Sequence, residues 1–315
     1  MAEGDGIASS PMADAVITVQ GLRKRYGQHE AVKGIDFTVD QGEVFGFLGT
    51  NGAGKTTTIE ILEGYRSRTA GVVSVLGVDP ARPTTAWRER IGLVLQESEL
   101  DPLHTVRETV AMFACYYRHP RPVDDTIALV GLAEQRDARV GSLSGGQKRR
   151  VDVALGIVGD PDLVFLDEPT TGFDPQARRD AWNMIEGLRQ LGKTIFLTTH
   201  YMDEAQHLAD RLCILRDGLV VAQGTTSDLT SRASGGVVVR FRIPAGVSVD
   251  AVRAACDVEP EVSGTEITLK TDHPQRTLYT LTGWAEGQGV ELEGLEVTRP
   301  TLDDVFLELT ADGPS

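Results

Sequence analysis

The chain has 315 residues, 41% of them hydrophobic, and a formal net charge of -15. This length predicts one large domain or two smaller ones, and the acidic excess disfavours nucleic acid or an anionic membrane surface as the main partner. No apolar run approaches about 18 residues, so the sequence predicts no transmembrane helix and a cytosolic protein. The three cysteines (Cys115, Cys213 and Cys256) have no metal-binding or redox spacing and are expected to be buried thiols.

The first part of the chain predicts a tail followed by an α/β domain. Residues 1–14 are mostly small or polar, lack the features of a signal peptide, and are expected to be a disordered tail. Strands and helices then alternate over residues 15–230, which is typical of an α/β domain. Strands are predicted at 16–22, 34–39, 43–48, 71–76, 91–95, 163–166 and 194–199, with a hairpin over 212–221. One helix is predicted directly after the glycine-rich loop, which spans 49–56. Further helices are predicted at 105–117, 123–132, 144–158, 176–191 and 203–209. A helical subdomain is therefore expected at 97–150, most of it an insertion over 97–140.

The last quarter of the chain predicts a second, smaller domain. Residues 226–236 are rich in Ser, Thr, Ala and Gly, which favours a linker. The following segments over residues 236–315 approach the order β-α-β-β-α-β, with a weak second strand near 258–262 and a closing helix at 301–309. This order predicts a small α+β module of the ferredoxin-like type. It contains no catalytic signature.

A glycine-rich loop between a strand and a helix is the most distinctive motif. Gly49 to Thr56 fits the pattern G-x-x-x-x-G-K-[ST] and follows the apolar run Val44 to Leu48. Backbone N–H groups of such a loop surround phosphate oxygens, its lysine reaches the β- and γ-phosphates, and its threonine hydroxyl faces Mg²⁺. The sequence therefore predicts a nucleotide site formed by Gly49, Asn51, Gly52, Gly54, Lys55, Thr56 and Thr57.

Two adjacent carboxylates end a second apolar strand, Leu163 to Leu166. An acid at this place can hold Mg²⁺ beside a phosphate loop, which suits Asp167. Glu168 is then placed to accept a proton from the attacking water, or to orient that water. The alternative is a solvated carboxylate pair at a strand end, which the phosphate loop makes less attractive.

The segment Ser144-Gly145-Gly146-Gln147 begins a predicted helix. A serine N-cap followed by two glycines exposes several N–H groups, which suits phosphate, although two glycines weaken a helix. Together with the phosphate loop and the carboxylate pair, this segment resembles the signature of the ATP-binding cassette (ABC) ATPases. The resemblance covers residues 16 to 230 and implies an ABC-type P-loop fold.

The resemblance implies roles for further residues. Tyr26 matches the aromatic residue that stacks on adenine, Gln96 the glutamine that contacts Mg²⁺ and water, and His200 the histidine that contacts the γ-phosphate. The segment from Thr171 to Asp174 resembles the D-loop, although most relatives have leucine in place of Phe173. Thr50 replaces the usual proline of the phosphate loop, which we expect to be tolerated. The remaining histidines, His29 among them, are expected to be surface residues.

The family also implies a cofactor and partners. Its members sandwich ATP, with Mg²⁺, between the phosphate loop of one protomer and the signature of another, so a homodimer with two equivalent sites is expected. A separate transmembrane permease would hold the chain against the inner face of the membrane and would dock on the helical subdomain. No role with nucleic acid is implied.

Two further segments resemble one subfamily. Lys148-Arg149-Arg150 and the closing segment Pro300 to Leu307 are similar to those of daunorubicin-resistance exporters. The first interpretation is therefore the ATPase of a drug or antibiotic exporter. Export of a lipid or polysaccharide precursor is the main alternative, and a soluble ABC-type ATPase not coupled to transport is another. The latter is disfavoured because the sequence lacks a second cassette and a coiled-coil insertion.

Overall fold

The computed structural model of the chain divides into two compact units, residues 1–225 and 226–315. The residues that it describes are 15–94, 99–232, 236–244, 247–256, 258–298 and 301–310. The predicted disordered tail at 1–14 lies outside these ranges. Within them, no helix is long and apolar enough to cross a membrane.

The first unit alternates strands and helices, which confirms the predicted α/β class. Its strands are β1 (Ala15–Tyr26), β2 (His29–Asp40), β3 (Val44–Gly49), β4 (Ala70–Val75), β5 (Ile91–Val94), β6 (Leu163–Asp167), β7 (Thr194–Thr199), β8 (Arg211–Arg216) and β9 (Leu219–Gly224). Its α-helices are α1 (Lys55–Leu62), α2 (Thr85–Arg88), α3 (Val106–Ala114), α4 (Val123–Leu129), α5 (Gly145–Ile157), α6 (Pro175–Gln190) and α7 (Met202–Leu208). Two short 3-10 helices, Ala133–Gln135 and Val140–Ser142, precede α5.

Two sheets form the framework of this unit. The larger has the order β5-β6-β7-β3-β8-β9, in which all neighbours are parallel except the β8–β9 hairpin. The smaller is antiparallel with the order β2-β1-β4. Every residue of β3 is buried, which explains its unbroken apolar sequence. Because the strands of a parallel sheet end at one edge, the residues after β3, β6 and β7 lie near one another.

Aromatic side chains join the two sheets in a common core. Phe37 of β2 stacks on Phe45 of β3 with ring centroids 5.6 Å apart, and Phe47 lies 5.3 Å from Phe196 of β7. Phe165 of β6 completes the group, 5.5 Å from Phe196. These rings hold β3, β6 and β7 in a fixed relation to the antiparallel sheet.

A second core holds the helical segment against the large sheet. Val106 and Val110 of α3, Ile127 of α4, and Val151 and Ala154 of α5 belong to one buried cluster with residues of β6 and β7. The predicted helices at 105–117, 123–132 and 144–158 are all present, although the first two are shorter than expected.

The second unit has the predicted ferredoxin-like pattern. After α8 (Thr226–Arg232) its elements are β10 (Val237–Arg242), α9 (Val249–Cys256), β11 (Pro260–Ser263), β12 (Glu266–Thr271), α10 (Pro274–Gln288), β13 (Glu293–Thr298) and α11 (Leu302–Thr310). The strands form an antiparallel sheet in the order β11-β12-β10-β13. Phe241, Val252, Leu269 and Leu281 are in its buried core.

The structure corrects three sequence-based expectations. The segment read as a linker contains α8, which packs on α11 and buries Leu229, so tertiary packing outweighs its composition. The four-residue helix α2 was not predicted, and it is held by the Thr84 cap and buried Trp87. Cys115 is exposed rather than buried, whereas the other two cysteines are buried.

Candidate nucleotide site

The glycines of the phosphate loop are required by the backbone of this chain. Gly52 and Gly54 have φ values of 84° and 104°, a region that residues with a side chain rarely adopt. A Cβ atom on Gly54 would lie 2.6 Å from the carbonyl oxygen of Ala31, and one on Gly49 would lie 2.6 Å from that of Leu215. No side chain caps the start of α1, so its first backbone N–H groups are available to an anion.

Lys55 lies folded along the loop that precedes it. Its Nζ donates a hydrogen bond to the carbonyl oxygen of Gly49 at 2.8 Å and a weaker one to that of Thr50 at 3.4 Å. Burial lowers the pKa of Lys55, and the nearby carboxylates of Glu168 and Asp167 oppose this shift. The ammonium group is therefore held in place, close to both acidic residues.

The acidic pair at the end of β6 is held by β7. Thr198 Oγ1 donates a hydrogen bond to Asp167 Oδ1. The Glu168 N–H donates to the hydroxyl and to the carbonyl oxygen of the same threonine, each at 3.1 Å. Glu168 has a φ of 46°, an uncommon value for a residue with a long side chain. Such backbone strain is concentrated at functional sites, where the surrounding structure maintains it.

The Glu168 carboxylate lies between two polar side chains. His200 Nδ1 is 3.3 Å from Glu168 Oε1, and Thr171 Oγ1 donates to Oε2 at 3.2 Å. The Glu168 side chain is 15% exposed, so it is mostly withdrawn from solvent but still accessible to a small molecule. This geometry suits a carboxylate that contacts one water molecule.

A cleft of about 590 Å³ brings most of the predicted nucleotide-binding residues together. It is lined by Tyr26, His29, Ala31, Thr50, Asn51, Gly52, Gly54, Lys55, Thr56, Thr57, Glu168, Thr171 and His200. Gly49 is the buried last residue of β3 and Asp167 is the half-buried last residue of β6, and neither lines the cleft. The cleft contains a glycine-rich loop, a lysine, a carboxylate and a histidine, which together suit a nucleoside phosphate.

Tyr26 lies at one end of this cleft. Its hydroxyl is 3.5 Å from Thr57 Oγ1, and its ring lies 5.0 Å from Lys24 Nζ and 5.4 Å from the guanidinium carbon of Arg66. The ring is 40% exposed and so remains accessible for stacking. His29 follows Tyr26 across the β1–β2 turn, and sequence reasoning missed its place in the cleft.

The signature segment forms a capping box at the start of α5. The Gln147 N–H donates to Ser144 Oγ at 3.2 Å, and the Ser144 N–H donates to Gln147 Oε1 at 3.0 Å. Both side chains are therefore engaged in holding the helix end. Ser144 is the N-cap, as predicted.

A second cavity, of about 1030 Å³, lies along the signature and the D-loop. Its lining includes Ser144, Gly145, Gly146, Phe173 and Asp174. Among the described residues, no residue from Gly49 to Thr57 lines this cavity and no signature residue lines the first, although Glu168 and Thr171 line both. The phosphate loop and the signature segment thus line two different cavities of the chain.

Asp174 and Arg149 support the second cavity. Asp174 is the N-cap of α6, and its Oδ1 accepts hydrogen bonds from the N–H groups of Gln176 at 2.9 Å and Ala177 at 2.8 Å. The Arg149 guanidinium donates to the carbonyl oxygen of Asp167 at 2.9 Å. Burial lowers the pKa of Arg149, so this cation is part of the framework. Sequence reasoning noted it only as part of a basic triplet.

The remaining predicted ligand, Gln96, lies outside the residues that the structure describes. Within the described ranges, no group of three or more His, Cys, Asp or Glu side chains is arranged to hold a metal ion. Mg²⁺ usually takes one or two protein ligands and completes its shell with water and phosphate oxygens, so Asp167 and the exposed Thr56 remain compatible with it.

Comparisons with known proteins identify the family. A family model described as "ABC transporter" matches residues 32–171, and one described as "ABC transporter domain-containing protein-like, C-terminal domain" matches residues 237–301. The chain is 39% identical to the Nod factor export ATP-binding protein I of Ralstonia nicotianae, with 98% of this chain and 96% of the relative covered. It is 36% identical to the daunorubicin resistance ATP-binding protein DrrA3 of Streptomyces coeruleorubidus, with 96% and 98% covered.

Solved structures agree with these relatives. CbiO1 from Clostridium perfringens, described as part of an ABC transporter complex, is 28% identical, with a TM-score of 0.63, 70% of this chain covered and 92% of that chain covered. ATPase domains of this family bind ATP, typically dimerise and work with membrane subunits. The chain belongs to the ATP-binding subunits of the ABC transporter family and is an ATPase.

Proposed function

We propose that the chain is the ATP-hydrolysing subunit of an exporter whose cargo passes through a separate membrane permease. The observation that carries this proposal is the cleft in which Lys55, Glu168 and His200 meet at the phosphate loop. The names of the relatives supply the transport direction, since one is named for export and another for drug resistance.

The cargo that we favour is a drug or antibiotic, for which the daunorubicin resistance relative is the support. Nod factor is the second candidate, because relatives named for its export are 38–41% identical. An ATPase that acts away from membranes receives no support from either name. The choice between the two cargoes depends on the permease, where we expect the cargo to bind.

In the proposed reaction, the phosphate loop and Lys55 hold the β- and γ-phosphates of ATP. Thr56, Asp167 and Gln96 would hold Mg²⁺, which when bound neutralises charge on the phosphates. Glu168 accepts a proton from the attacking water or orients it, and His200 contacts the γ-phosphate. The protein contributes mainly positioning and electrostatic stabilisation, because phosphoryl transfer needs little covalent participation.

We propose that two copies of the chain complete each other's site. Gly145 and Gly146 have ordinary backbone angles, and a Cβ atom would meet nothing within 4 Å on the first and only Ala177 Cβ at 3.7 Å on the second. Among the residues that the structure describes, nothing therefore requires glycine at either position. A ligand held by another copy, ATP on its phosphate loop, would require the space. Ser144 borders that space, and Asp174 would lie at the dimer contact.

The membrane partner that we propose would dock in a groove between α1 and the helical segment. This groove has a volume of about 740 Å³ and includes Tyr65, Trp87, Leu93, Phe113 and Tyr117 in its lining. Tyr65 is 83% exposed at this groove and so offers an aromatic surface to a partner. A cytoplasmic helix of the permease is the occupant, and it would hold the chain at the inner face of the membrane.

For the domains, we propose residues 15–230 as the catalytic part and residues 236–315 as an accessory domain that supports the dimer or the permease contact. The second family model matches most of the latter range. Deletion of residues 236–315 is expected to weaken dimerisation or transport, and a truncated chain that retains both in full would contradict this role.

The experiment that tests the proposed reaction compares ATP turnover by the parent and by Glu168→Gln. The variant should bind ATP with parental affinity and hydrolyse it about a hundredfold or more slowly, because the acceptor of the water proton is lost. Asp162→Asn, which changes an exposed carboxylate paired with Arg90, is the control and should retain turnover. Parental turnover by Glu168→Gln would overturn the assignment. Stimulation of the parent by membranes that contain its permease, and further by an aromatic drug, would support drug export.

A further inference from the structure

A second carboxyl group, that of Glu204, is completely buried on the first turn of α7. Trp182 Nε1 of α6 donates a hydrogen bond to Glu204 Oε1 at 3.3 Å. Burial removes a carboxyl group from water at a cost in free energy, and a well-packed apolar residue often stabilises such a place as well or better. Stability alone therefore does not explain a glutamate here.

Two threonine side chains place this carboxyl group beside the segments that carry the proposed catalytic residues. Thr199 immediately precedes His200, and Thr170 lies two residues after Glu168. Both threonines are buried, at 1% and 0% exposure. One carboxyl group thus faces the end of β7, the segment after β6, and α6.

Polar groups only partly satisfy the buried acid. Burial raises the pKa of Glu204, and the side chains that oppose the rise are Thr199, Thr170, Trp182 and Arg178. Glu204 Oε2 and Thr170 Oγ1 are nevertheless both buried without a hydrogen bond of normal geometry to any described residue. A buried polar atom without a partner is uncommon in native proteins and calls for an explanation.

The strained backbone of Glu168 suggests what the interaction between Glu204 and Thr170 does. A residue with a φ of 46° keeps that conformation only if the chain on both sides is fixed. Thr198 fixes Glu168 from the side of β7 through two hydrogen bonds to its N–H. On the C-terminal side, Thr171 donates a hydrogen bond to the Glu168 carboxylate. Thr170 immediately precedes Thr171, and its side chain is one of those that act on the Glu204 carboxyl group.

We propose that Glu204 is a positioning residue for ATP hydrolysis, whose buried carboxyl group fixes the Thr170 segment relative to the end of β7. It thereby maintains the 3.3 Å approach of His200 to Glu168 without contacting the nucleotide itself. The inference rests on the roles proposed above for Glu168 and His200.

The test measures kcat, the KM for ATP and the melting temperature of two Glu204 variants. Glu204→Leu removes the polar group and should lower kcat about ten- to a hundredfold with little change in KM, because misplaced groups impair the reaction rather than binding. Glu204→Gln retains an acceptor for Trp182 and polar groups for the threonines, and should keep kcat within about threefold of the parent. The melting temperature of Glu204→Leu should not fall.

A second buried carboxylate serves as the control, because it separates the effect of location from the effect of burying an acid. Glu43 is also a mostly buried carboxylate whose pKa is raised by burial, but it contacts Arg211 and the Asp40 N–H at the opposite end of β3. Glu43→Leu should leave kcat unchanged even if it lowers the melting temperature. Parental kcat in a folded Glu204→Leu protein would overturn the proposal, as would equal losses of kcat in Glu204→Leu and Glu43→Leu.

Two further results keep the proposal falsifiable. If Glu204→Leu does not fold, Thr170→Val removes only the facing hydroxyl, and parental kcat in that variant would then overturn the proposal. If Glu168→Gln itself retains turnover, the proposed reaction fails first. If Glu168→Gln is inactive while Glu204→Leu is fully active, only the positioning role fails.

Discussion

The two glycine-rich helix starts of this chain have opposite physical origins. In the phosphate loop, Gly52 and Gly54 have positive φ, and a side chain on Gly54 would collide with the backbone of Ala31. In the signature, Gly145 and Gly146 have ordinary angles and room for a Cβ atom. The first pair is explained by the backbone of the chain itself, whereas for the second pair we propose a ligand held by another copy of the chain.

This difference bears on which half of the proposed site is complete within one copy. The phosphate-loop side has its lysine, carboxylate and histidine in one cleft, so we expect a single chain to bind a nucleotide there. The signature side has a capped helix start, and its side chains are engaged in holding that start. Changes on the two sides should therefore fail in different ways, and the predictions run from the largest expected effect to the smallest.

The largest effect is expected from Gly54→Ala. Its Cβ atom would lie 2.6 Å from the Ala31 oxygen in a backbone conformation with φ of 104°, so unfolding should become easier by about 3 kcal/mol or more and ATP binding should be lost. Gly52→Ala is the matched control, since it has positive φ but no atom within 4 Å, and should cost about 1–2 kcal/mol. Chemical denaturation and ATP titration measure both, and equal stability of the two variants would contradict the steric argument.

Gly145→Leu should impair only the site that two copies of the chain form together. The position has free space within the chain, so the melting temperature and ATP binding should remain parental, because leucine favours helix more than glycine does. Turnover and ATP-dependent dimerisation should fall about a hundredfold, since the side chain would occupy space needed by the other copy's nucleotide. Turnover and size-exclusion chromatography of the variant with ATP test this directly.

A mixing experiment sharpens the same comparison. Gly145→Leu retains a good phosphate loop and Lys55→Ala retains a good signature, so a mixed dimer contains one complete site. Mixing two variants that are each inactive should therefore restore part of the parental turnover. Failure to restore any turnover, while mixed dimers are shown to form, would contradict the exchange of signatures between copies.

At the far end of α1, Glu63→Gln should change the pH dependence of stability. Burial, with the charges of Asp167 and Glu60, raises the pKa of Glu63 to about 8. At a pH between the ordinary pKa of a glutamate and 8, the folded chain holds this proton and the unfolded chain has lost it. The stabilisation from this proton is therefore complete below the ordinary pKa and is lost as the pH rises towards 8. Between pH 6 and pH 8 the loss should be on the order of 2 kcal/mol, and Glu63→Gln should remove it. Denaturation curves at both pH values measure this, and an unchanged slope in the variant would contradict it.

The smallest effect is expected at Tyr26. Tyr26→Ala should raise the KM for ATP about fivefold while kcat changes little, because one stacking surface is lost and the phosphate contacts remain. Tyr26→Phe keeps the ring and loses only the hydroxyl near Thr57, so its KM should be nearly parental. A larger effect for phenylalanine than for alanine would show that the hydroxyl, not the ring, carries the interaction.

The sequence predicted those elements whose signals are local. The unbroken apolar runs of β3 and β6 identified buried strands, and Ser144 identified the start of α5. The pattern of the last quarter predicted the ferredoxin-like order. Within the segment predicted as a linker, residues 226–232 form α8, because the contact of α8 with α11, which buries Leu229, joins residues distant in sequence.

Supporting residues of the site were harder to find for the same reason. Thr198 holds both acidic residues, yet as one threonine at the end of a strand it has no distinctive pattern. Arg149 reaches the carbonyl oxygen of Asp167 only because α5 packs beside β6. The strained φ of Glu168 has no sequence signal at all.

By itself, the sequence determined the chemical inventory: a phosphate loop, an acidic strand end, a capped glycine pair and a histidine after a strand. These depend on residue type and short spacing, so they can be read without coordinates. Only the tertiary structure decided that Lys55, Glu168 and His200 share one cleft while Gly145 and Gly146 border another. That division depends on how β3, β6 and β7 align in the sheet and on where α5 packs, and these are long-range contacts that no local pattern encodes.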